Sequence, residues 1–350
     1  MQNNISISKR PWTIFLTLLI CVVLWIWAGW NIDNSDLINY EIQFNFLETY
    51  DNLYDDNYGI SILFLILKKI GLNFFHTRIV IYGVTLFALF FYILRWSYIP
   101  IIVLALYFGF HFVRDVVELK NFLGCVTILY CFNYLAYATW KKRIVAFLLI
   151  CMAGSFHIAY YLFIPIIFIP VKRTLSAVPF LFIFPIVSFS ARLIVNQSLN
   201  IYSSEFLVNR IDGLMEYTGY GAIVASTLVV VGSIAFLYYI RNSHRVYNPD
   251  IYINHIHFQS YSTVIYNLNI ASTFLLVFSS ISYSFIGRLY STIILINIIY
   301  ITNCLCLKRR SVNVWNLLVF MIYYLCVCMY LSMAEQHYID VFTNNLIFNK

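Results

Sequence analysis

The lysines and arginines of this chain are mostly gathered into short clusters. The stretches between the clusters are too apolar to face water. The clusters fall at residues 9–10, 95, 141–143, 172–173, 241–245 and 308–310. Charged residues make up 11% of the chain, where soluble domains carry about 25%. A water-facing exterior cannot be built from such a sequence. Backbone polar groups in hydrocarbon must be satisfied within the segment, which a helix does and an open strand does not. The expected fold class is therefore all-α, a polytopic helical membrane protein spanning residues 1–350 as a single domain.

Placing each basic cluster on the cytoplasmic side fixes an order of crossings. Lys9 and Arg10 hold the start of a first span, Trp12 to Trp30, in the cytoplasm, and this segment reads as a retained anchor. Residues 31–57 hold seven acidic residues and no lysine or arginine, so they read as an outer loop. Residues 58–72 are apolar but too short to span, with Lys68 and Lys69 near the end, so a shallow amphipathic helix is expected. Spans follow at about 78–94, 98–112 and 115–138. In the last of these, Asp115 and Glu118 occupy the first helical turn, where anions suit the helix dipole. Residues 144–170 lie between two basic clusters, so both ends are cytoplasmic only if the chain turns back near His157. Further spans are expected at about 175–195, 219–240, 258–280, 285–305 and 312–331. The total is about eleven crossings with the amino terminus inside. Of the fifteen Asp and Glu, only Asp250 falls inside under this scheme.

Several residues stand out chemically. Arg114 lies in HFVRDVVELKNFLG at the outer end of a span. Arg288 lies about one turn inside the outer end of another, in YSFIGRLYSTIILI. Arg210 falls in an outer loop. A charge at the centre of a membrane helix costs about 2.5–3.5 kcal/mol and less near the interface. Guanidinium groups bind phosphate through parallel hydrogen bonds and keep their charge. Two or three arginines at one face make a diphosphate site; the alternative is snorkelling anchors, with Arg114 paired to Glu118 at i,i+4. His157, at the turn, is a candidate base or a packed structural histidine. His111 is a weaker candidate. Asp55 and Asp56 precede the shallow helix and compete with His157 for the role of base, or are simply solvated. The eight cysteines lie in apolar stretches and read as core residues. Neither a metal nor a cofactor is expected, and the dispersed basic residues give no nucleic-acid surface. Glycine-rich phosphate loops and nucleophile elbows are absent from the sequence, which leaves ATP-driven transport and serine hydrolysis unsupported.

Four stretches together resemble the EpsG family of Wzy-type polysaccharide polymerases, which includes O-antigen and capsule polymerases. They are DDNYGISILFLILKKIGLNF (55–74), FHFVRDVVELKNFLGCVTILY (110–130), KKRIVAFLLICMAGSFHIAYYLFIPI (141–166) and the late arginine helix with IGRLY (286–290). The resemblance implies an enzyme of the bacterial cytoplasmic membrane acting on undecaprenyl-pyrophosphate-linked oligosaccharide. It would transfer the growing glycan to an incoming lipid-linked unit and release undecaprenyl pyrophosphate. It implies Arg114, Arg288, Arg210 and Tyr58 as substrate-binding residues, and His157, Asp55 and Asp56 as catalytic candidates. It also implies the lipid bilayer, a chain-length regulator and a flippase as partners. Two other readings remain open at this point: a membrane glycosyltransferase using a polyprenyl-phosphate sugar, and a lipid-linked oligosaccharide flippase.

Overall fold

A computed structural model describes residues 11–32, 34, 36–47, 57–199, 220–245, 252–253, 256–279, 283–307, 314–332 and 345–346. Nearly all of them are helical. The first helices are α1 (Pro11–Gly29), α2 (Leu37–Phe46), α3 (Tyr58–Lys69), α4 (Phe74–Trp96), α5 (Pro100–Phe110), α6 (Phe112–Val117), α7 (Leu119–Leu135) and α8 (Trp140–Phe156). A 3-10 helix, Ile158–Phe168, follows. Then come α9 (Ala177–Leu199) and α10 (Tyr220–Arg245). A two-residue ladder pairs β1 (Tyr252–Ile253) with β2 (Ile256–His257). The chain ends with α11 (Phe258–Ala271), the short α12 (Leu276–Ser279), α13 (Tyr283–Leu307) and α14 (Val314–Ser332).

Four described segments are long and apolar enough to cross a membrane: Pro11–Gly29, Phe74–Trp96, Val224–Asn242 and Gly287–Leu305. The expected count of about eleven crossings is thus matched by helix length in four places. Other expected spans are shorter apolar helices, among them Pro100–Gly109, Ile158–Phe168 and Asn316–Met329. Two irregular residues explain part of the shortening. His111 separates α5 from α6, and Glu118 leaves helical geometry at φ −102°, ψ 68°. The expected continuous helix at 115–138 is therefore two helices with a break at Glu118.

The stretch 31–57, expected as a loop, contains α2. Tyr40 and Phe44, one turn apart, are buried against Phe64 of α3. Burying these rings outweighs the helix's polar content, because a short helix draws its stability mainly from tertiary packing. Helix carbonyls at a C-terminus lack intrahelical donors. Lys68 supplies them here, its ammonium reaching the carbonyls of Phe44, Asn45 and Leu47 at 2.8–3.1 Å.

The expected turn at His157 is present. The residue is extended (φ −149°, ψ 116°), and the 3-10 helix folds back along α8. At the far end of this hairpin Arg143 donates to the carbonyls of Ile167 and Ile169, which brings the start of α8 to the end of the 3-10 helix. At the turn the hairpin meets α3. Asn57 accepts a long hydrogen bond from the Ile158 amide (3.4 Å), and the phenols of Tyr58 and Tyr161 lie 3.0 Å apart. Gly59 is obligatory for this approach, since a Cβ there would lie 2.8 Å from backbone atoms of Ser155.

Of the four membrane-length segments, the most buried is that in α13, with 94% of its window inside the protein. Asn297 near its middle exchanges two 2.8 Å amide hydrogen bonds with Asn269 of α11. Asn303 near its end accepts from the Tyr98 amide (2.8 Å) and donates to the Trp96 carbonyl (2.7 Å). Asn345 bridges Asn31, and Leu346 donates to the carbonyl of Trp30, so these two residues sit on the end of α1.

Candidate functional site

The break at Glu118 and the start of α13 meet. Glu118 lies between Arg114, one turn earlier in the chain, and Arg288, 170 residues later. Arg288 donates from Nε (2.8 Å) to the carboxylate oxygen Oε1, and its Nη2 lies 2.7 Å from the same oxygen as an ion pair. The Nε of Arg114 stands 3.5 Å from the other oxygen, Oε2. Arg114 is buried, and its guanidinium lies on the backbone of Gly287, where a Cβ would come within 3.1 Å of Nη1. A glycine immediately before Arg288 thus lets one arginine pack beneath the other. The Arg288 side chain keeps 29% of its surface exposed, against 3% for Arg114 and 11% for Glu118.

Asp115, adjacent to Arg114 in sequence, turns another way. Its Oδ2 accepts from the Tyr107 hydroxyl (2.6 Å) and lies 2.8 Å from His111 Nδ1. The Tyr107 and His111 rings stack with centroids 5.7 Å apart. The carboxylate that could have neutralised Arg114 is taken up by a separate buried group. The Val116 carbonyl accepts from Tyr82 of α4, which fixes α6 from a second side.

His157 is joined to this region through Tyr160. The Tyr160 hydroxyl donates to the carbonyl oxygen (3.0 Å) and side-chain oxygen (2.9 Å) of Asn121 in α7, and it approaches Thr292 of α13 at 3.5 Å. The His157 and Tyr160 rings meet edge-on at 6.1 Å. His157 Nδ1 accepts from the Ala159 amide (3.2 Å), which fixes the ring at the turn. Burial, and after it the positive fields of Arg288 and Lys120, push this imidazole down to about 4. At neutral pH it is uncharged, and a weaker base than an ordinary histidine.

The structure therefore brings Arg114, Arg288 and His157 into one neighbourhood. Tyr58 is exposed, against the hairpin that carries His157. Asp55, Asp56 and Arg210 lie outside the described residues. Sequence reasoning passed over the shared role of Glu118, the seat at Gly287 and the Tyr107–His111 pair. His111 and Asp115 stand at i,i+4, a spacing that could have revealed their contact. No local signal links Glu118 to Arg288.

Chemically, two guanidiniums, one shared carboxylate and a neutral imidazole suit the binding of an anion and the acceptance of a proton beside it. Comparison with curated proteins and with solved structures gives no match. The EpsG family model matches residues 14–347. Helical, apolar and matched over nearly its whole length, the chain belongs to the EpsG family, membrane proteins of polysaccharide biosynthesis that are Wzy-type polymerase-like.

Proposed function

We propose that this protein polymerises undecaprenyl-pyrophosphate-linked oligosaccharide units at the outer face of the bacterial cytoplasmic membrane. A hydroxyl of the incoming unit attacks the anomeric carbon of the growing glycan. The new glycosidic C–O bond forms as the anomeric C–O bond to pyrophosphate breaks. The hydroxyl proton passes to a base, and undecaprenyl pyrophosphate departs with the bonding electron pair. The reaction draws on the pyrophosphate bond already present in the substrate, so it needs no nucleotide.

The observation that carries this reading is the Arg114–Glu118–Arg288 cluster, with one arginine reaching the surface and the other buried behind it. Charge accumulates on the leaving diphosphate in the transition state. Preorganised cations stabilise it there more than in the ground state, and loss of one such donor costs on the order of 10²–10³ in rate. In this reading Arg288 receives the diphosphate first, Arg114 supports it from beneath, and His157 accepts the proton of the attacking hydroxyl. Tyr58, exposed against the His157 hairpin, contacts sugar.

The test is reconstitution. Purified protein in lipid, supplied with one lipid-linked repeat unit, should yield a ladder of products spaced by one repeat. Single additions without a ladder would point to a polyprenyl-sugar transferase, and no product would overturn the reading. Arg114→Ala and Arg288→Ala proteins that still insert should leave repeat units unpolymerised. Full-length polymer from both would remove the diphosphate assignment.

A further inference from the structure

A lysine ammonium has three donor hydrogens to place. Lys68, Arg78 and Arg143 give theirs to backbone carbonyls, and Arg288 donates to Glu118. Lys120 does neither. It is half-buried in the first turn of α7, two residues after the break at Glu118. Its Nζ stands 6.0 Å from the centre of the Tyr40 ring, and among the described residues it meets no carboxylate or carbonyl. A ring face is a weak partner for a cation, and donors drawn out of water without an acceptor are costly. An arriving anion would relieve that cost.

The segment around Lys120 is held to the candidate site at both ends. Before it, Glu118 accepts from Arg288 Nε at 2.8 Å. After it, Asn121 accepts from the Tyr160 hydroxyl at 2.9 Å, and the Tyr160 ring meets that of His157. The charge of Lys120 is felt at His157, next after that of Arg288. The imidazole thus faces two cations, one from α13 and one from α7. Arg288 keeps 29% of its side chain exposed while holding Glu118, so an anion can reach it without displacing that carboxylate. A diphosphate presents two phosphoryl groups, enough to engage two cations at once. Arg288 offers a planar fork, and Lys120 a compact charge on a flexible stem.

We infer that Lys120 is a further substrate-binding residue, the second cation, with Arg288, that holds the diphosphate of the lipid-linked substrate. The inference rests on the polymerase reading and deepens its site.

The experiment uses farnesyl diphosphate as probe and farnesol as its neutral control, with the purified full-length protein in phosphatidylcholine nanodiscs. Lysines are acetylated with acetic anhydride, and the modified peptides are quantified by mass spectrometry. Saturating farnesyl diphosphate should slow acetylation of Lys120 by about fivefold or more, because few sites stay empty; farnesol should not. Lys142 is the internal control. It also rests against aromatic rings, but lies about 22 Å from His157 along α8 at 1.5 Å per residue. Its acetylation should be unchanged. By calorimetry, Lys120→Met should weaken farnesyl diphosphate by about tenfold or more, the weight of one charge-assisted hydrogen bond, and Lys120→Arg should restore most of that loss. The protection measurement needs no variant, so it decides the matter if Lys120→Met does not fold.

Equal acetylation of Lys120 with and without the probe overturns the inference. So does unchanged affinity in Lys120→Met with lowered thermal stability, which would make the residue a fastening for α2. A further arm adds phosphatidylglycerol to the nanodiscs. Protection by that lipid alone, with none added by the probe, would assign Lys120 to a headgroup and also overturn the inference. The polymerisation ladder separates the two ideas. A ladder, with probe binding that Arg288→Ala weakens and no protection at Lys120, removes only the role of Lys120. No ladder and no probe binding removes the polymerase reading and the inference with it.

Discussion

The two halves of α13 join the bundle by different chemistry. Its first turns carry Gly287 and Arg288 and meet Glu118 and Arg114 through charge. Its later turns carry Asn297 and Asn303 and meet Asn269, Trp96 and Tyr98 through neutral amides. The amide half is satisfied in both directions, each side chain donating and accepting at 2.7–2.8 Å. Among the described residues, the charged half leaves one carboxylate oxygen without a hydrogen bond. A neutral amide pair between membrane helices contributes about 0.6–2 kcal/mol and leaves nothing to exchange. A buried ion pair is weak support for stability, because desolvation offsets the attraction. The contrast teaches that α13 is fastened more by its asparagines than by its arginine.

The comparison can be broken most forcefully at Arg288. Arg288→Ala should lower polymer per folded molecule by about 100-fold or more, as loss of a preorganised cation does. Near-normal polymer, measured by product ladder against protein level, would show that the charged half is structural after all.

The next largest effect concerns His157. Its folded pKa lies below the ordinary histidine value, at about 4. The unfolded chain therefore takes the proton first. Stability is full above about pH 6.5, declines as the pH falls toward 4, and levels off below that, for a total loss of at most about 3 kcal/mol. His157→Asn should flatten this decline in a chemical-denaturation series across pH. An equal decline in the variant would show that other groups carry it.

Asn267→Ala tests an amide fastening on α11. The side chain donates to the carbonyls of Pro170 and Arg173 and accepts from the Leu175 amide, all at 2.7–2.8 Å. Its loss should cost about 1–3 kcal/mol of stability, the usual range for orphaned buried polar groups. Polymer per folded molecule should stay within about twofold, since about 0.4 kcal/mol in the barrier is a factor of two. Falling polymer at unchanged thermal stability would blur the division of labour. The smallest effect belongs to Tyr58→Phe. The Tyr58–Tyr161 hydroxyl contact is exposed, so thermal unfolding should shift by less than about 1 kcal/mol.

Much of the fold was legible because hydrophobicity and charge are local signals. The first span, the shallow-helix segment at 58–69 and the reversal at His157 followed from apolar length and flanking basic residues. The helix at 37–46 was missed because the acidic stretch around it suggested solvent, and the burial of Tyr40 and Phe44 depends on Phe64, which no local pattern reports. The break at Glu118 was missed for a related reason. It depends on a partner 170 residues away. Arg114 and Arg288 could be named from their position in apolar surroundings. Their order, one exposed and one buried behind a glycine, is a tertiary fact.

The hairpin that carries His157 is tied at its foot by Arg143, at its tip by Asn57 and the Gly59–Ser155 approach, and across its side by Tyr160. Mechanically this is a bracket and not a hinge. In the proposed reaction a group that meets substrate from this frame is the Arg288 side chain, an ionic one. A machine with a stiff frame and an ionic working group should slow as dissolved salt competes for its charges, and should respond little to the thickness or fluidity of the membrane around it.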